Sequence, residues 1–127
     1  MKNQISKMGK KQDFIERASN FAIQVIRFTK TLPKERAYWV ITDQLIRSSC
    51  SIGANMTEAN SASSKKDYVN FYSHALKSAN ETKYWLDLLK KLTVDSMTIE
   101  KLYKEVEELS KILGASIVTM KKGLSKI

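Results

Sequence analysis

From Phe14 to Leu32, apolar side chains recur at intervals of four, three, four, three and four: Phe14, Ala18, Phe21, Val25, Phe28 and Leu32. That alternation draws one stripe along a helix and suits helices packed nearly parallel or antiparallel. The stripe returns three more times. Tyr38, Ile41, Leu45, Ser48, Ile52, Met56 and Ala59 form the second, and Tyr68, Tyr72, Ala75, Ala79, Thr82, Leu86 and Leu89 the third. Ile99, Leu102, Val106, Leu109, Leu113, Ser116, Met120 and Leu124 form the fourth. The spacing predicts helices over about 13–31, 34–60, 65–92 and 97–122.

The breaks between stripes are short. Pro33 forces the residue before it out of the α region, so the first helix must stop there, and Pro33 itself suits the first position of the next helix. Ser61 to Ser64 interrupt the second and third stripes, and Ser64 with Asp67 three residues on resembles a capping box. Thr93 to Thr98 hold the last turn, with Asp95 or Ser96 as N-cap. Short connections leave neighbours antiparallel, which predicts an all-α, up-down-up-down four-helix bundle. Composition agrees. In 127 residues, 43% are hydrophobic, enough for a core, while four Gly and one Pro exclude a turn-rich β protein.

Two stretches depart from a plain bundle. Ser48, Ser49, Ser51, Gly53 and Ala54 give the second helix a thin waist, and Gly53 costs roughly 1 kcal/mol relative to alanine in a helix interior. Either a close packing contact or a ligand pocket would compensate. The apolar faces are also wide: Ile15, Ala22 and Ile26 extend the first, Trp39 the second, and Phe71, Ser78, Trp85 and Leu92 run beside the third. A single wide core and a second, intermolecular surface both fit that width.

Catalytic chemistry is hard to place on these residues. His74 has Asn70 and Ser78 at its i±4 positions, and the Glu-x-x-His pairs of a di-iron bundle are absent. The Ser48–Ser51 cluster has no His or Lys base at helical spacing, and mid-helix hydroxyls bond to carbonyls of the preceding turn. Gly9, Gly53, Gly114 and Gly123 stand alone, so no phosphate loop is present. Cys50 can form neither an internal disulfide nor a Cys-based zinc site, and reads as a small packing residue. The expectation is a non-enzyme without metal or cofactor. Three carboxylates remain to be weighed. Asp43 precedes Arg47 by four, the favourable order for a helical ion pair. Glu58 follows Asn55 by three near the end of the second helix, and Glu81 lies on the third, which should run antiparallel beside it. A buried polar cluster linking these helices or, more sharply, a metal site without histidine would follow.

The formal charge is +9, from 22 Lys plus Arg against 13 Asp plus Glu. Residues 1–31 carry seven basic and two acidic groups, residues 65–94 six and three, and the other two quarters are nearly balanced. Met1 to Gln12 hold four lysines with no apolar run after them, so they are no secretory signal and read as a flexible basic tail. No apolar stretch approaches the roughly 18 residues of a membrane span. A cytoplasmic protein is expected.

The sequence from Asp43-Gln44-Leu45-Ile46-Arg47-Ser48-Ser49 through Ser51-Ile52-Gly53-Ala54-Asn55-Met56-Thr57-Glu58-Ala59 resembles the signature of bacterial four-helix-bundle proteins encoded in intervening sequences of 23S rRNA genes. Lys65-Lys66-Asp67-Tyr68, Ala75, Ser78-Ala79, Glu81, Trp85-Leu86, Phe21-Ala22 and the Leu32-Pro33-x-Glu35-Arg36 turn carry the same resemblance over residues 13–122. The chain departs from it at Ala59-Asn60, where glycine is usual at the second position. The resemblance singles out Asp43, Gln44, Arg47, Asn55, Glu58 and Glu81 as the polar residues of the pattern. It implies a homo-oligomeric ring, typically a pentamer, more than an activity. Distantly similar proteins are accessory factors that bind a reverse transcriptase and nucleic acid.

Two functions from different classes follow. In the first, an oligomer binds RNA or DNA, structured RNA foremost, through Lys10, Lys11, Arg36, Arg47, Lys65, Lys66, Lys121 and Lys122 on one face. With few aromatic residues in that set and no helix-turn-helix, RNA-recognition or zinc-finger pattern, it would read backbone and shape. In the second, the chain is a structural or protein-binding scaffold and its charge serves solubility.

Overall fold

A computed structural model describes the backbone of residues 2–93 and 95–125, and the side chains of residues 9–93 and 95–123. It holds four helices: α1 (Lys2–Thr29), α2 (Arg36–Ala59), α3 (Lys65–Leu92) and α4 (Ser96–Ser125). Each packs against its two neighbours in the cycle α1–α2–α3–α4–α1, most extensively α2 on α3 and least α1 on α4. Among the described residues there is no strand and no diagonal contact between α1 and α3 or between α2 and α4. The fold is the antiparallel four-helix bundle that the stripes predict.

The stripes become the core. Ala18, Phe21 and Val25 of α1, Leu45, Ile52 and Met56 of α2, Leu86 and Leu89 of α3, and Val106, Leu109 and Leu113 of α4 are at most 1% exposed. Of the residues that widen α1, Ile15 joins this core, Ala22 is buried and Ile26 is half-buried. Trp39 does not join it and is 70% exposed. Trp85 is half-buried against Tyr84, its Nε1 without a hydrogen-bond partner among the described residues. In α4 the stripe shifts by one residue after Leu113: Ile117 is buried where Ser116 was expected. The Leu124 side chain lies outside the described residues.

Helix ends follow cap chemistry. Ser64 accepts a hydrogen bond from the Asp67 amide at 3.0 Å. Asp67 is too short to reach the N-cap amide, and its Oδ2 takes the amide of Ser63 instead, at 3.2 Å. Asp95 accepts from the Thr98 amide at 3.3 Å and so caps α4. Tyr38 donates its hydroxyl to the Leu92 carbonyl, tying the start of α2 to the end of α3.

Two boundaries differ from the sequence reading. Pro33 lies in the turn, not in α2, because the chain stays extended through Glu35 (φ −109°, ψ 152°), whose carbonyl accepts the Trp39 amide. Residues 2–12 were expected as a tail but continue α1. Adding residues to an existing helix avoids the nucleation cost, and Lys, Gln and Met are good helix formers. Met1 lies outside the described residues. The end of α2 at Ala59 needs no glycine: Asn60, Ser61 and Ala62 donate to the carbonyls of Thr57, Glu58 and Ala59 in a tightened last turn, all at right-handed geometry.

The thin waist of α2 is a packing contact. A Cβ built on Gly53 would sit 3.7 Å from the Ala18 Cβ and 3.6 Å from the Ser19 Oγ, so α1 crosses α2 here. On the side facing α3, the small residues form a hydroxyl seam. Thr82 Oγ1 lies 2.8 Å from both Ser48 Oγ and the Ser78 carbonyl. Ser78 donates to Ser51 Oγ at 3.0 Å, and Asn55 Nδ2 donates to Ser51 Oγ and its carbonyl at 2.9 and 2.8 Å.

Candidate nucleic-acid interface

Antiparallel order decides which segments share an end. The start of α1, the α2–α3 turn and the end of α4 meet at one end of the bundle, and the two remaining turns meet at the other. Six of the eight expected cationic residues therefore gather at the first end. Lys10 and Lys11 come from α1, Lys65 and Lys66 from the first turn of α3, and Lys121 and Lys122 from the last turns of α4; all are exposed. Arg36 and Arg47 do not join them. Arg36 begins α2 at the far end, about 35 Å from Ala59 at 1.5 Å per residue. Arg47 is exposed midway along α2. The rise of the helix thus splits a set that charge alone had grouped on one face.

The six lysines face few carboxylates. Asp13 is exposed on α1 three residues after Lys10, Glu58 is exposed in the last turn of α2, and Asp67 is turned into the cap of α3. Between the lysines the bundle opens. A groove of about 590 Å³ is bounded by Lys11, Asn60, Ser64, Lys65, Tyr68 and Met120. A second hollow of about 530 Å³ shares Lys11, Tyr68 and Met120 and runs between α1 and α4, over Phe14, Tyr72 and Ile112. Volumes of this size are typical of ligand sites, roughly 300–1,000 Å³.

Tyr68 stands at the junction of the two hollows. Its ring stacks on Tyr72 with centroids 4.9 Å apart and planes 20° from parallel, and their hydroxyls are 3.3 Å apart. The Lys11 ammonium lies 4.9 Å from the centre of the Tyr68 ring, a cation–π contact. Burial raises the Tyr72 phenol well above the ordinary tyrosine range, helped by its hydrogen bond with Tyr68, so it stays protonated. Six residues further along α1, Arg17 closes the α1–α4 seam with a bidentate pair to Glu105, at 2.7 and 2.9 Å. That hydrogen bonding raises the Arg17 pKa, with burial opposing it.

The other sequence-derived candidates separate. Asp43, Glu58 and Glu81 are exposed and form no cluster, and no ion pair joins Asp43 to Arg47 among the described residues. The link between α2 and α3 is made by the neutral groups Ser48, Ser51, Ser78 and Thr82, with Asn55 extending it; uncharged hydroxyls cost less to bury than carboxylates. Gln44 is half-buried on α2. His74 is exposed, and no group of three metal-ligating side chains occurs among the described residues. No helix among them is long and apolar enough to cross a membrane. Sequence reasoning missed Tyr68 as part of the basic end by assigning it to the core stripe. The available signal was Lys65 three residues before it, on the same face of α3.

Fold and site together define a small antiparallel bundle with one lysine-ringed, aromatic-floored end. The chain belongs to the 23S rRNA-intervening sequence protein family, which it matches over residues 10–115. It is similar to the crystal structure of a protein of unknown function from the S23 ribosomal protein family of Bacteroides thetaiotaomicron VPI-5482. The two share 35% identity over 82% of this chain and 97% of that one, with a TM-score of 0.76. Comparison with curated proteins finds no match.

Proposed function

We propose that this chain is a non-enzymatic, homo-oligomeric bundle protein, pentameric as its resemblance implies, that binds nucleic acid through its lysine-rich end. Structured RNA is the favoured target. The observation that carries this reading is the convergence of Lys10, Lys11, Lys65, Lys66, Lys121 and Lys122, from three helices, on one end of the bundle, where they outnumber the neighbouring carboxylates Asp13, Glu58 and Asp67. Such a concentration of ammonium groups attracts polyanions at long range and exchanges condensed counterions for lysine at each phosphate.

A scaffold that binds protein is the second reading, and one observation favours it. At the opposite end Trp39, Val40, Leu92 and Met97 are 70%, 48%, 50% and 70% exposed. Large apolar side chains gathered at one end suit contact with another protein chain, a second copy or a partner such as a reverse transcriptase.

The discriminating experiment measures binding of the intact protein to duplex DNA, single-stranded RNA and a structured rRNA fragment across a salt series. Affinity that falls steeply with salt supports the polyanion reading, and the preferred substrate names the target. No binding of any of the three at about 50 mM salt, where such contacts are strongest, overturns it in favour of the scaffold.

A further inference from the structure

We propose that the groove at the lysine-rich end holds an unpaired nucleotide, with its base against the Tyr68 ring and its flanking phosphates on Lys11 and Lys65. This rests on the polyanion reading and goes beyond it, because it assigns a base-contacting residue to an end that charge alone would make a backbone reader. Three observations lead to it. Lys11, Lys65 and Tyr68 bound one groove of about 590 Å³, which places two ammonium groups around one aromatic ring. Tyr68 is only partly buried and is stiffened from below by its stacked partner Tyr72, 4.9 Å away. The Lys11 ammonium already lies 4.9 Å from the centre of that ring, so the site binds a cation weakly where a flat, apolar surface could lie.

The exchange is physically simple. The flexible stem of Lys11 lets its ammonium swing from the ring to a phosphate, and a base takes the vacated place on Tyr68. Asn60 and Ser64 line the same groove with groups able to bond a base edge. A nucleic-acid strand alternates a fixed negative charge with a planar apolar unit, which is the alternation of lysine and tyrosine found here. A duplex keeps its base faces stacked inside and cannot use the ring. An acidic peptide would satisfy the lysines without needing it.

The test uses the full chain and four probes at one salt concentration: short oligouridylate, an abasic strand of equal length and charge, duplex DNA and polyglutamate. Base stacking on an aromatic side chain is expected to make oligouridylate bind roughly 5- to 150-fold more tightly than the abasic strand. Tyr68→Leu should erase that margin and leave duplex affinity unchanged, whereas Tyr68→Phe should keep it. Circular dichroism checks that both variants fold, and the comparison of strands with the unaltered protein decides the matter if Tyr68→Leu does not. Equal affinity for the two strands, or an undiminished margin in folded Tyr68→Leu, overturns this inference while the electrostatic reading stands. Equal capture of polyglutamate and oligouridylate overturns it as well, marking an unselective charged patch. No binding of any polyanion at about 50 mM salt removes both readings together.

Discussion

The α2–α3 seam and the α1–α4 seam are built from the same helix geometry, yet one is closed and the other open. Small residues line the first. Ala75, Ala79, Ser48 and Thr82 are at most 3% exposed, and hydroxyls bond directly from helix to helix. Bulkier side chains stand along the second: Phe14, Ile112 and Met120 are only half-buried, and a partly exposed Arg17–Glu105 pair spans the gap. Side-chain size at the contact sets how closely two helices approach. Here it also decides where a groove opens, since the loosely packed seam leads to the lysine-rich end. The closed seam is the most extensively packed in the bundle and the open one the least, which leaves room for the groove that the proposed binding uses.

Filling each seam is the strongest way to break that contrast. Ala79→Leu forces three carbons into a fully buried site and should cost about 1–3 kcal/mol, read as a lowered Tm. Ala115→Leu, exposed beside the α1–α4 groove, should stay within about 0.5 kcal/mol. Equal losses would mean that both seams are closed.

Tyr72 gives a pH test of the same contrast. Its pKa is raised above the ordinary 10.0, mainly by burial, so above about pH 10 the unfolded phenol ionises while the folded one stays neutral. Its contribution to stability is complete below that pH and falls as pH rises, by up to about 1.4 kcal/mol per pH unit. Tyr72→Phe should show a shallower alkaline decline of Tm, and an unchanged decline would place the ring in water.

Thr82→Val removes the hydroxyl that joins α2 to α3. Ser48 keeps the Leu45 carbonyl at 3.2 Å as a partner, so the cost should be about 1 kcal/mol in urea denaturation and not the larger penalty of an orphaned group. Gly53→Ala should be neutral or stabilising by up to about 1 kcal/mol, because its Cβ would meet neighbours at ordinary contact distances. Arg17→Ala should cost only about 0.5 kcal/mol, fading in high salt, because the side chain is 39% exposed.

Periodicity carried most of the fold. The bounds of α3 and the buried stripes follow directly from apolar spacing, because each side chain's direction is fixed by its place in the helix. Residues 2–12 escaped that reading: a polar, lysine-rich stretch has no apolar stripe to announce a helix, and it continues one already begun. Of the site, the lysines were legible as charge, but their division between the two ends was not. That depends on helix rise and direction, which separate Arg36 from Lys65 although both begin helices. The aromatic floor was invisible for a different reason. Tyr68 fits the core stripe, and only the spacing of α1 and α4 leaves it open beneath Lys11. The carboxylates Asp43, Glu58 and Glu81 suggested a cluster because they lie on two helices expected to run side by side, while the groups that bond α2 to α3 are neutral.

The most direct test of the lysine-rich end as the binding surface compares salt dependence for three proteins on one RNA. These are the unaltered chain, Lys65→Ala with Lys66→Ala, and Lys90→Ala with Lys91→Ala at the opposite end, where Lys90 pairs with Glu100 at 3.2 Å. Losing two phosphate contacts should flatten the slope of log affinity against log salt by about 1.4–1.8 for the first pair. The second pair should leave it unchanged. Identical slopes for all three proteins, or a flatter slope only for the second pair, would contradict the assignment.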